Sequence, residues 1–189
     1  MLKKFLLVFF ILINSHNLFS QEISEWFDQE SHGFLELMKN SNIENKNNFD
    51  QYLNYVRKNF AIKSIAYSLI NDKIINNSDQ PTLDLYLHVF ENYLTKTIYN
   101  LADPNYTGSI ELLSIDESDG VYTISSEISD SDQKINLFWK VALISENYKI
   151  IDVIVENTSY FITKKTEFSK ILRKNNNDIK KLILELEKI

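Results

Sequence analysis

The chain contains no cysteine, which removes disulfide staples, thiol nucleophiles, zinc-thiolate sites and any lipid-modified cysteine anchor. With three glycines in 189 residues it has no Gly-rich turn to cradle a dinucleotide or a nucleotide phosphate. Three histidines are present, and His32 and His88 are the two beyond the first twenty residues. Each has one acidic neighbour at helical spacing, Glu36 and Glu91, and two ligands do not complete a metal site. Apolar residues make up 44% of the sequence and aromatics 13%, enough for a single core to hold the fold unaided.

Long apolar runs are also scarce. One occurs at the N-terminus, where Lys3 and Lys4 precede nine consecutive apolar residues, Phe5 to Ile13. A hydrocarbon core of about 30 Å takes roughly 20 apolar residues, so this run is too short to span it. The pattern reads as a secretory signal peptide covering residues 1–20, with cleavage after Ser20. The expected product is one exported domain, 21–189, released outside the cytoplasm. Removing Lys3 and Lys4 leaves 18 basic residues against 26 acidic ones, a net charge of −8. Such a chain lacks the basic face that a nucleic-acid partner requires.

The first half reads as helices and the second as strands, an α+β arrangement. Phe49, Tyr52, Leu53, Val56 and Phe60 recur at helical spacing, and Ile62, Ile65, Ala66, Leu69 and Ile70 do so again. A longer helix starts at the N-cap Asp79, tolerates Pro81 in its first turn and ends before Asp103-Pro104. Its apolar stripe is Leu83, Leu87, Phe90, Leu94, Ile98 and Leu101. Strands are expected at about 107–115, 121–128, 134–144 and 148–156, joined by short polar turns and hence antiparallel. Ile135, Leu137, Trp139, Val141 and Leu143 would share the apolar face of the third. Closing helices are expected near 163–173 and 178–188, with the run Asn175-Asn176-Asn177 as loop filler between them.

Motifs for catalysis are missing. Tyr160-x-x-x-Lys164 has the spacing of short-chain dehydrogenases but no nucleotide-binding turn to serve. No nucleophile elbow is present, and the paired carboxylates Asp116-Glu117 and Asp130/Asp132 fall in expected turns, where turn chemistry explains them.

The segment from Tyr148 to Leu172 carries a family resemblance. Asp152 and Val153, then Glu156 and Ser159, then Phe168, Ile171 and Leu172 fall on the closing strand, turn and helix of the MlaC, or toluene-tolerance, family. Upstream, Ile65-Ala66 and Val89-Phe90-x-x-Tyr93-Leu94 match two of its helices, so that the likeness covers roughly residues 25–188. Asn71 and Asn157 stand where the family usually carries glycine, Tyr148 replaces its Trp and Ile151 its Tyr. Asparagine tolerates left-handed backbone better than other non-glycine residues.

What the resemblance implies is a periplasmic phospholipid-binding protein with no enzymatic activity and no cofactor. It would be a monomer that shuttles lipid between an outer-membrane lipoprotein complex of the MlaA type and an inner-membrane ABC transporter of the MlaFEDB type, maintaining outer-membrane lipid asymmetry. The implied shape is an NTF2-like cone, with N- and C-terminal helices packed on a curved antiparallel sheet of about four strands around an apolar pocket. Candidate lipid-binding residues are Ile65, Ala66, Leu69, Phe90, Leu94 and Ile98 on helices, and Leu137, Trp139, Val141, Ile151, Val153 and Val155 on strands. Ile65, Ala66, Phe90, Leu94 and Val153 are also matched to the family. Core and pocket share the same chemistry, so these residues equally suit a plain interior. Two other readings remain. One is an isomerase or hydrolase of the same cone shape, with Asp152 as a buried general base. The other is an interaction module without a ligand.

Overall fold

The computed structural model describes residues 2–39, 47–130 and 133–188, with side chains of the first stretch described from Gln21 onward. Seven helices are described: α1 (Leu2–Lys39), α2 (Asn47–Asn59), α3 (Ile62–Ser68), α4 (Asp72–Asn77), α5 (Gln80–Tyr99), α6 (Tyr160–Lys174) and α7 (Ile179–Leu186). Between α5 and α6 lie β1 (Ser109–Ser118), β2 (Val121–Asp130), β3 (Gln133–Ile144), β4 (Asn147–Val155) and β5 (Thr158–Ser159). The strands form one antiparallel sheet in sequence order.

Helix starts follow local chemistry. Asp79 accepts from Thr82 N at 2.8 Å and Pro81 sits in the first turn of α5. Ser159 and Asp178 cap α6 and α7 in the same way. Asn71 caps the short α4, an element with no clear sequence signal, and does so with an ordinary negative φ of −78°. That substitution for the family's glycine therefore involves no left-handed backbone. The break between α2 and α3 has a tertiary cause: Phe60 bridges Ile150 of β4, and Ala61 N donates to Ile150 O at 3.0 Å.

Three hairpins close on two-residue turns with both φ values positive: Asp119-Gly120, Ser145-Glu146 and Glu156-Asn157. This is the geometry that matches the twist of paired strands. Glycine fills one of the six positions; Asn157, at φ 65°, is left-handed where the family usually has glycine. The last of these turns creates β5, a two-residue strand beyond the four expected. The 131–132 part of the expected Ser129–Asp132 turn lies outside the described residues. The asparagine run is more than filler, because Asn176 and Asn177 are both left-handed and Asn177 N donates to Leu172 O at 2.8 Å, turning the chain into α7.

Register puts Ile124, Trp139 and Val153 side by side on one face, next to the row Tyr122, Val141 and Ile150. The opposite face carries Thr123, Lys140 and Asp152, and Ser125 beside Phe138 and Ile154. Bulges at Leu113 and Ile151 interrupt the pairing of β1 and β4 and bend those strands. The apolar face packs on helices in one continuous interior that includes Phe27, Tyr52, Val56, Phe90, Ile124, Val141 and Phe168. Helix α5 buries a wider face than the expected stripe, adding Tyr86, Val89 and Tyr93. Leu101 departs from that stripe: α5 ends at Tyr99, and Leu101 beyond it is 58% exposed.

Candidate apolar site beneath the first helix

On α1, Ile23, Phe27 and Phe34 lie at spacings of four and seven residues, hence on one face, with Trp26 and Glu30 flanking it. That face lies on the sheet and on α2. Phe27 meets Trp139 edge to face at 6.0 Å, Trp26 approaches Tyr148 at 5.7 Å, and Phe34 approaches Tyr55 at 5.6 Å. The indole N–H of Trp139 donates to Ser126 Oγ at 2.9 Å, so its polar handle is satisfied within the sheet and its rings are free for apolar contact. Between these groups runs a narrow crevice lined by Trp26, Phe27, Phe34, Tyr55, Ile110, Trp139 and Ile150, with Glu30 and Ser31. Its void is about 10 Å³, room for one water-sized sphere.

Glu30 and Tyr55 also line a second space, an open cleft of about 510 Å³ bounded by Asp28, Gln29, His32, Gly33, Glu36, Leu37 and Lys58. A thin wall of side chains thus separates surface from apolar interior. Glu30 is 6% exposed, and its two carboxylate oxygens are held separately, one by Lys58 Nζ at 2.5 Å and the other by Asn59 Nδ2 at 2.8 Å. Tyr55 OH donates to the Glu30 carbonyl at 3.3 Å, and burial, reinforced by the Glu30 charge, pushes its phenol well above the ordinary value. Lys149 on β4 donates to the carbonyls of Arg57 and Lys58 at the end of α2, and partial burial lowers its ammonium below the usual lysine value. Arg57 is occupied elsewhere, in a two-point pair with Glu91 of α5 at 2.9 and 2.8 Å.

A larger cleft, about 610 Å³, lies where α4, α5 and α7 begin. Its lining residues are mainly polar, and the three helix starts are satisfied by their own caps Asn71, Asp79 and Asp178. It offers neither an apolar wall nor convergent catalytic groups.

The twelve residues chosen from sequence fall on α3 and its C-cap Leu69, α5, β3 and β4, and ten of them belong to or pack against the continuous interior. The exceptions are Leu137, which is buried, and Val155, which is 38% exposed near the end of β4. Trp139 alone of the twelve borders the crevice. Sequence reasoning missed Trp26, Phe27, Phe34, Tyr55, Ile110 and Ile150, although the α1 members carry a legible helical spacing.

Asp152 lies outside this space. Its carboxylate accepts from Ser159 Oγ at 2.6 Å, from Val153 N at 2.9 Å and from Phe161 N at 3.3 Å, tying the start of α6 to β4. Those bonds give Asp152 a structural role; Lys164 pairs with Glu167 and lies over the Tyr160 ring. His32 and His88 are exposed on α1 and α5, with Asp28 O and Asn92 as their neighbours. Among the described residues no group of three His, Asp or Glu could hold a metal ion, and no helix is long and apolar enough to cross a membrane.

Among solved structures the fold resembles the phospholipid-binding protein from Ralstonia solanacearum, determined in complex with a phospholipid. The two superpose with a TM-score of 0.69 at 12% identity, covering 89% of this chain and 94% of that one. Nothing among curated proteins matches the sequence. The model of the family described as MlaC protein matches residues 28–188, which is 161 of the 189. A helical layer on one face of an antiparallel sheet and a match over most of its length together place this chain in the MlaC protein family.

Proposed function

We propose that the chain is a carrier of phospholipid, taking acyl chains between α1, the α2–α3–α5 layer and the apolar face of the sheet. The observation that carries this reading is the family match across residues 28–188, which takes in α2 to α7, the whole sheet and the part of α1 from Asp28 onward. The Ralstonia solanacearum protein, with the same fold, was determined holding a phospholipid. Two acyl chains present roughly 30 methylenes at about 0.8 kcal/mol each, so leaving a bilayer for water costs about 24 kcal/mol. A carrier must offset that by offering apolar surface of its own.

The crevice as it stands admits no chain, since ligand sites for small molecules run to about 300–1,000 Å³. Loading therefore requires α1 to part from the sheet. The exchange is nearly balanced, because contacts such as Phe27 on Trp139 are replaced by contacts of the same rings with methylenes. Trp139 of the twelve residues selected from sequence, together with Trp26, Phe27, Phe34 and Ile110, would then form the wall, with the others as the interior behind it. We extend the reading to the cellular setting that the family suggests. The signal peptide is removed after Ser20, and the mature protein is a periplasmic monomer. It passes lipid between an outer-membrane lipoprotein complex and an inner-membrane ABC transporter, without catalysis or cofactor. Native mass spectrometry with lipid extraction tests the central claim. One phospholipid-sized adduct per protein is expected; protein that purifies lipid-free and takes up none from vesicles would sink it.

A further inference from the structure

Glu30 is a buried carboxylate on the wall between the outer cleft and the apolar crevice, and an acyl chain entering between them must push it aside. Its departure strands the buried donor Asn59 Nδ2, on a side chain that is 0% exposed, and leaves Lys58 Nζ, at the solvent edge on a 58% exposed side chain, without its anion. Stranding a buried donor is costly unless another acceptor replaces the carboxylate, and an anion that does so also restores the pair with Lys58. A phosphodiester can do so: it carries one negative charge and presents two oxygens, as the carboxylate does. We infer that Glu30 stands in for the lipid phosphate, and that Lys58 and Asn59 form a phosphodiester subsite at the mouth of the acyl-chain seam, closed by Glu30 when empty and opened by exchange. This rests on the carrier reading and adds to it where the polar end of the lipid is held.

Two further features fit. Lys58 has Glu30 as its ion-pair partner, whereas Arg57 is committed to Glu91, so Lys58 is the cation able to switch. Lys149 bonds the last carbonyls of α2 and neutralises the negative helix end that would otherwise repel an anion there.

The test uses the purified protein and phosphatidylcholine vesicles carrying either a pyrene-labelled phosphatidylglycerol or a diacylglycerol with the same labelled chains. Wild type should capture the phospholipid in preference to the diacylglycerol. Lys58→Met should reduce phospholipid capture relative to diacylglycerol capture about tenfold, the effect of losing one hydrogen bond to a charged group. Glu30→Gln, which weakens the closure, should load both lipids faster. Because Lys58→Met leaves Glu30 buried without its cation, the double variant Glu30→Gln/Lys58→Met is measured beside it and should show the same loss of preference for the phospholipid. Equal capture of both lipids by wild type, or folded Lys58 variants that keep the preference, would overturn the subsite while leaving the carrier reading intact. Capture of neither lipid by wild type would remove the carrier reading and the subsite together.

Discussion

Leu94→Asp separates packed interior from openable seam. Leu94 is 2% exposed, on the face of α5 that carries Phe90 and Ile98 and belongs to the interior shared with Phe168. It does not border the crevice under α1. Replacing it forfeits about 1.5–3 kcal/mol of apolar burial. An unpaired carboxylate in that interior adds a penalty on the order of 3–5 kcal/mol. The total approaches the whole stability of a domain this size, about 5–15 kcal/mol. The variant should therefore be molten or insoluble, with no cooperative thermal transition by circular dichroism at pH 7. Phe34→Asp, at a half-buried position on the crevice, is the control: a charge there can reach water, so the fold should persist while lipid capture fails. A Leu94→Asp protein that melts cooperatively within a few degrees of wild type would refute the argument. It would mean that Leu94 faces space that water can enter, and that the seam opens along α5 rather than under α1.

Asp152→Asn weakens the bonds to Ser159 and to the first turn of α6, so a loss of about 1–2 kcal/mol is expected. In melting that is a fall of several degrees, with lipid capture within a few-fold of wild type; lost capture in a folded protein would contradict the structural role. At Gly108 an added Cβ would lie 2.1 Å from Ser129 O and 2.5 Å from the Tyr106 ring, so Gly108→Ala must shift backbone. Hydrogen exchange should speed up selectively at the Ser109–Ile110 end of β1, and unchanged protection there would refute the strain. Tyr86 OH donates to Ala66 O at 2.8 Å, and burial pushes its phenol well above the ordinary value. The fold favours the neutral phenol, so this contribution is complete below the unfolded value of about 10 and is lost as pH rises beyond it. Tyr86→Phe should flatten the alkaline decline of the urea midpoint, and an unaltered slope would count against that assignment.

Much of the fold was legible because its signals are local. Asp79 before Pro81 fixes the start of α5, alternation in Ile135–Leu143 fixes the faces of β3, and polar pairs fix the hairpins, since capping, pleat and turn geometry depend on residues a few positions apart. The order of Asp152, Ser159 and Phe168 was likewise enough to suggest the family. What spacing could not supply was the partner of each apolar face. Leu94 and Trp139 read alike in sequence as apolar residues at the right period, yet one is sealed in the interior and the other borders a crevice. Nor could it foresee that Glu30, one of 26 acidic residues, would be the one buried against Lys58 and Asn59. Burial of a charge depends on contacts made across 28 and 29 residues of chain, and only the packing of α1 on α2 brings those groups together.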